Sequence, residues 1–146
     1  MKIYLDTSVY NRAFDDQTQP RIWLETLALA LILQLIESGE GTLINSAVLE
    51  FENNRNPFSL RQDWVTRCLE QAKIYQLVDI SIRERAEALE NHGVKSIDSL
   101  HIACAESAGA DYFLTCDDRL LKKQKHIHVS SMNPLDFVQK VMGEQP

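Results

Sequence analysis

The chain is 146 residues long, 45% hydrophobic and 25% charged, with a formal net charge of −6. Such a length and composition fit one globular domain over residues 1–146 with a substantial core. The acidic balance excludes binding to nucleic acid through a broad basic face, though not an enzyme that acts on nucleic acid.

Lys2 to Asp6 reads as a short buried strand closed by an acid. Pro20 to Ser38 reads as a long helix, with Pro20 in its first turn and Gly39 past its end. Within it, Thr26 to Ile36 is strongly apolar but about half the length a bilayer span needs. Glu25 and Glu37 bracket that stretch, so the helix is either buried on nearly all sides or covered on one face by a second subunit. Gly41 to Ser46 is a second strand. Ser46 caps a helix to about Asn54, stopped by Asn56-Pro57, and Ser59 caps another from Leu60 to Lys73. Tyr75 to Ser81 is a strand and Arg83 to Asn91 a helix. Ser96 caps a helix from Ile97 to Ala108, with Gly109 as its stop. Asp111 to Cys116 and Ile127 to Ser130 are the last strands, and Pro134 to Met142 is the closing helix. Strands alternating with helices imply an α/β fold, a mostly parallel sheet between two helical layers.

The acids carry the functional signal. In such a sheet, helix N-termini and strand C-termini share one edge, where ligands bind. Asp6 and Asp117 close strands, while Asp98 and Glu52 lie near the starts of helices, so four acids distant in sequence are expected to meet. Two carboxylates about 5 Å apart repel by roughly 3 kcal/mol at an effective dielectric near 20. A hard cation held by oxygen ligands, Mg²⁺ or Mn²⁺, relieves that repulsion. The chain reads as a metal-dependent hydrolase.

Within the site, Thr115 and Asp117 are two apart in an extended run and point the same way, so hydroxyl and carboxylate can share one metal or water. Asp118 reads as the helix cap or as an acid just outside the ligand set. Helical geometry places Glu52 somewhat nearer the buried face than Glu50, and both stay open as the fourth acid. His101, one turn after Asp98, reads as a partly buried histidine that packs or supports a ligand from behind, rather than as a ligand itself. Arg119, Lys122, Lys123 and Lys125 form a local basic group, either a solvated face or an approach for a phosphate backbone. Cys68, Cys104 and Cys116 lack CxxC spacing and read as reduced thiols, Cys116 partly exposed. A receiver-like phosphoacceptor would need a lysine closing the last strand, and none stands there.

Leu5-Asp6-Thr7-Ser8, Ser46 to Glu52, Ile97 to Ala105 and Phe113 to Leu121 together resemble the PIN-domain ribonucleases, in particular the VapC-like toxins of toxin–antitoxin modules. The resemblance spans nearly the whole chain. It implies Asp6, Glu52, Asp98 and Asp117 as ligands of one or two divalent ions with Thr115 as the accompanying hydroxyl, and it favours Glu52 over Glu50. It further implies an RNA substrate, a small antitoxin partner and a homodimer, while the strand-like run after Met1, without a signal-peptide pattern, leads us to expect a cytoplasmic location. The competing reading is a catalytically silent PIN-like scaffold that binds RNA or a protein partner.

Overall fold

The computed structural model describes residues 1–143; the last three residues of the expected domain, 144–146, lie outside them. Five strands, β1 (Lys2–Leu5), β2 (Thr42–Ser46), β3 (Ile74–Gln76), β4 (Tyr112–Leu114) and β5 (Ser130–Met132), form one parallel sheet in the order β3-β2-β1-β4-β5. Successive side chains of a strand face opposite sides, yet Ile3, Tyr4 and Leu5 are all fully buried, as are Leu43, Ile44, Phe113 and Leu114. Both sheet faces are therefore covered, and the fold has three layers. No helix of the described residues is long and apolar enough to cross a membrane.

From β1 the chain travels to one side through β2 and β3, then returns to place β4 and β5 on the other. The crevice at such a reversal lies at the C-terminal ends of β1 and β4. Register there is tight: Tyr4 pairs with Phe113 and Leu5 with Leu114, and the Tyr4 and Phe113 rings stack with centroids 5.6 Å apart. The Asp6 amide donates to the Leu114 carbonyl at 3.1 Å, carrying the ladder one residue past β1.

The helices are α1 (Thr7–Asn11), α2 (Pro20–Glu37), α3 (Ala47–Asn54), α4 (Ser59–Leu69), α5 (Ile80–Asn91), α6 (Ser96–Ser107), α7 (Asp118–Leu121) and α8 (Pro134–Val141), with short 3₁₀ turns at Arg12–Phe14 and Gln124–His126. Ser46 caps α3 as expected, accepting from the Leu49 amide at 3.1 Å. Other boundaries shift. Helix α1 was not expected; five residues carry too little periodicity to read, and the Asp6 cap and the burial of Val9 and Tyr10 hold it. Strand β3 ends at Gln76 rather than Ser81, because Asp79 caps α5 through the Ile82 amide at 2.8 Å. The last strand runs from Ser130 to Met132 rather than from Ile127, because the chain leaves the 3₁₀ turn at Gln124–His126 and bends at His128 and Val129 before it pairs. Helix α4 stops at Leu69, and Ser59 and Ser96 are first helical residues rather than caps.

Helix α2 is apolar on both sides, but only one is covered. Ala28, Leu29, Ile32, Leu35 and Ile36 are buried, while Trp23, Leu24, Leu27 and Leu31 are exposed. Glu25, expected to bracket the apolar run, is instead wholly buried beneath it. It accepts from Arg12 Nε at 2.8 Å, from Arg21 Nε at 3.3 Å and from the Asn133 amide, the N-cap of α8. One carboxylate thus ties the turn after α1, helix α2 and the start of α8. Removing one partner of a buried ion pair strands the other without solvent. We expect Glu25→Ala to cost about 3–5 kcal/mol, lowering Tm by roughly 10 °C at about 2–4 °C per kcal/mol for a chain of this size. Thermal and urea unfolding measure it, and a loss under about 1 kcal/mol would contradict the tie.

Candidate active site

Asp6 leaves β1 at the crevice and caps α1. Its Oδ1 accepts from the Ser8 amide at 3.0 Å and from the Ser8 hydroxyl. It is only 4% exposed. Burial pushes its carboxyl up, the Ser8 and Thr115 hydroxyls and then His101 pull it back, and Glu52 raises it again. Thr115, just past β4, is fully buried; its Oγ1 accepts the Asp117 amide at 3.1 Å and lies 3.4 Å from Ser8 Oγ. Ser8 Oγ in turn accepts the Cys116 amide at 3.0 Å, so the ends of β1 and β4 are stitched through one hydroxyl.

Asp117 caps α7, accepting the Arg119 amide at 2.9 Å. The cap expected of Asp118 therefore falls to Asp117, the residue that precedes the first helical turn. Asp118 turns outward instead, to a two-pronged pair with Arg21 at 2.7 Å. Asp98 stands in the first turn of α6. Burial first, and then Asp6, push its carboxyl up to about 6; His101 opposes this, and Asp117 and Glu52 add to it. Asp98 thus feels each of the other three acids.

Glu50 and Glu52 part company on α3. Glu50 is exposed and accepts from the Tyr75 hydroxyl at 2.6 Å. Glu52 faces the crevice, accepting from Thr7 Oγ1 at 2.7 Å and bonded to His101 Nε2 at 2.7 Å. Burial alone would raise the Glu52 carboxyl, but the hydrogen bonds from His101 and Thr7 hold it below the ordinary carboxylate range.

Asp6, Asp98 and Asp117 have no Lys or Arg within ion-pair distance among the described residues, whereas buried Glu25 has two arginines. The acids share an edge without closing on one another. Among the described residues, no three His, Cys, Asp or Glu side chains are drawn into a ready-made ion cage. Their chemistry nonetheless fits a hard divalent ion: every donor is an oxygen, and a cation offsets both the burial and the neighbouring acids that lift Asp98. The cysteines offer no alternative. All three are buried, Cys116 included, and burial pushes Cys68 up to about 11 and Cys104 to about 12.

A family model for the PIN domain matches residues 3–126. The chain belongs to the PIN domain family. Two solved structures share its fold at a TM-score of 0.59 each: VapBC2 from Rickettsia felis bound to a DNA fragment from its promoter, and VapBC-1 from nontypeable Haemophilus influenzae. They are 15% and 13% identical, cover 91% and 92% of this chain, and are themselves covered to 98%. No curated protein sequence matches it significantly.

This PIN domain contains a buried relay that no local stretch of sequence spells out. Tyr4 Oη lies 2.7 Å from Ser46 Oγ and 2.7 Å from His101 Nδ1, and His101 is 1% exposed. An ionised Glu52 only accepts, so His101 Nε2 donates to it; burial first holds the Tyr4 phenol far above its ordinary range, and Ser46 Oγ accepts from the Leu49 amide. The signal available in sequence was Asp98-Ser99-Leu100-His101, which sets the histidine one turn behind an acid, but its partners come from β1 and α3. A long-range ¹H–¹⁵N correlation spectrum of the metal-free protein should show a proton on His101 Nε2, and an unprotonated Nε2 would contradict the relay. Tyr4→Phe, which leaves Nδ1 buried and unpaired, should destabilise the fold by about 1–3 kcal/mol in urea unfolding.

Proposed function

We propose that this PIN domain is a Mg²⁺- or Mn²⁺-dependent endoribonuclease, the toxin of a toxin–antitoxin pair. The observation that carries the reading is the mutual repulsion of Asp6, Glu52, Asp98 and Asp117 around Asp98, with no Lys or Arg paired to the three aspartates among the described residues. In this reading those four acids hold the ion, and Thr115 stands beside them. Once bound, the ion supplies an acidified water and neutralises charge built up on the phosphate.

The chain's own residues do the rest. His101 and Thr7 hold Glu52 ionised and fixed in direction. Ser8 holds Asp6 by its amide and hydroxyl, so the carboxylate meets its ligand already oriented. Single-stranded RNA suits such a site, because an unpaired strand can be splayed across a crevice that a duplex would bridge. No cysteine or histidine acts as a nucleophile.

The partner proposal draws on the VapBC complexes among the structural neighbours and on the exposed apolar side of α2, Trp23, Leu24, Leu27 and Leu31. A small antitoxin, or a second copy in a homodimer, covers such a surface. We place the protein in the cytoplasm. The rival reading, a silent scaffold that binds RNA or protein, draws on the acids standing apart rather than caged.

Purified protein should cut a mixed RNA pool with Mn²⁺ or Mg²⁺ and stop in EDTA. Asp98→Asn should lose at least roughly 100-fold, the scale of removing one electrostatic stabiliser of a transition state. Cutting that survives EDTA or the substitution would overturn the assignment, and Mn²⁺ binding that is absent by titration calorimetry would favour the scaffold.

A further inference from the structure

Beside Asp98 and Asp117 lies a pocket of about 200 Å³, room for several waters at about 30 Å³ each. Three basic residues also line it: Lys95, Arg119 and Lys123. None of the three has a carboxylate within 4 Å among the described residues, although two acids share the cavity with them; Arg12, Arg21, Arg61 and Arg85 are all paired. Had these cations served only to neutralise the acids, they would touch them. The three cations are instead left unpaired among the described residues, open to an anion.

Lys123 is held by the backbone. Gly93, in the left-handed region at φ 89°, gives its ammonium the space: a Cβ at that position would lie 2.8 Å from Lys123 Nζ. The ammonium also points at the His92 carbonyl, 3.4 Å away. The His92 and His126 rings stack at 3.9 Å and 13°, clamping the turn after α5 against the segment that carries Lys123. The cation is therefore placed rather than free to wander, in a chain whose net charge of −6 would otherwise repel a polyanion.

We propose that this pocket binds a phosphate flanking the scissile one in a single-stranded RNA, gripped by Lys123 with Lys95 and Arg119, so that the strand leaves the acid edge over Gly93. The assignment rests on the ribonuclease reading but is tested apart from it. A lysine that neutralises a phosphate releases a counterion, so removing one such lysine flattens the plot of log affinity against log salt for a single strand by about 0.7 in slope.

The experiment measures binding of a fluorescent uridine octamer across a NaCl series in Mg²⁺, in an Asp98→Asn background that blocks cutting. Lys123→Gln and Lys95→Gln should each reduce the slope by about 0.7. Gly93→Ala should do the same with no change in charge, by displacing the Lys123 ammonium. Lys73→Gln, remote from the pocket, should leave the slope unchanged. Equal effects from Lys73 and Lys123 would reduce the pocket to diffuse charge, and unchanged slopes for both Lys123→Gln and Lys95→Gln would overturn it. Thermal unfolding of Gly93→Ala checks that it folds; if it does not, the two lysine variants decide. A wild type that binds with these slopes but cuts nothing removes the nuclease and keeps the pocket. Cutting with unaffected slopes removes the pocket alone.

Discussion

A carboxylate buried where the central strand ends is the constraint around which this molecule is arranged. Asp6 is nearly excluded from water, and Asp98, Glu52 and Asp117 add their charges to the same edge. The cost of burying charge is met only by partners. Here the partners are hydroxyls and amides, from Ser8, Thr7 and Thr115, together with one histidine. Dipoles soften the repulsion without cancelling it, and the Asp98 carboxyl is raised by burial first and then by its acidic neighbours.

The contrast with Glu25 makes the point within one chain. Glu25 is more deeply buried than any acid of the crevice, yet two guanidinium groups and an amide surround it. That acid is part of the scaffold and needs nothing from outside. The crevice aspartates have no such internal cation among the described residues, and the proposed ion site rests on that difference. Glu25, paired with Arg12 and Arg21 and bonded by Asn133, ties α2 to the start of α8, and Arg21 reaches across to Asp118 at the start of α7.

Much of this was legible from the residues. Ile3-Tyr4-Leu5 and Phe113-Leu114 are buried on both faces, and such runs read as parallel strands without tertiary knowledge. The acids that follow them then point to the edge. Glu52 over Glu50 was a matter of helical angle, and the partners that separate them, Thr7 and His101 for one and Tyr75 for the other, lie far off in sequence. Short elements escaped for the same reason. Helix α1 and the true end of β3 are set by single side-chain caps, Asp6 and Asp79, and a cap reads in sequence as readily as a strand residue or a turn. Burial of Glu25 was not legible at all, since nothing local distinguishes an acid that bounds an apolar stretch from one folded beneath it.

The measurement that bears most directly on this account is anomalous scattering from a crystal grown with Mn²⁺. The account predicts a manganese peak at the C-terminal edge of β1 and β4, with oxygen ligands drawn from Asp6, Asp98 and Asp117 and with Glu52 still hydrogen-bonded to His101. A fully ordered crystal with no manganese at that edge, or with manganese bound only elsewhere, would contradict it.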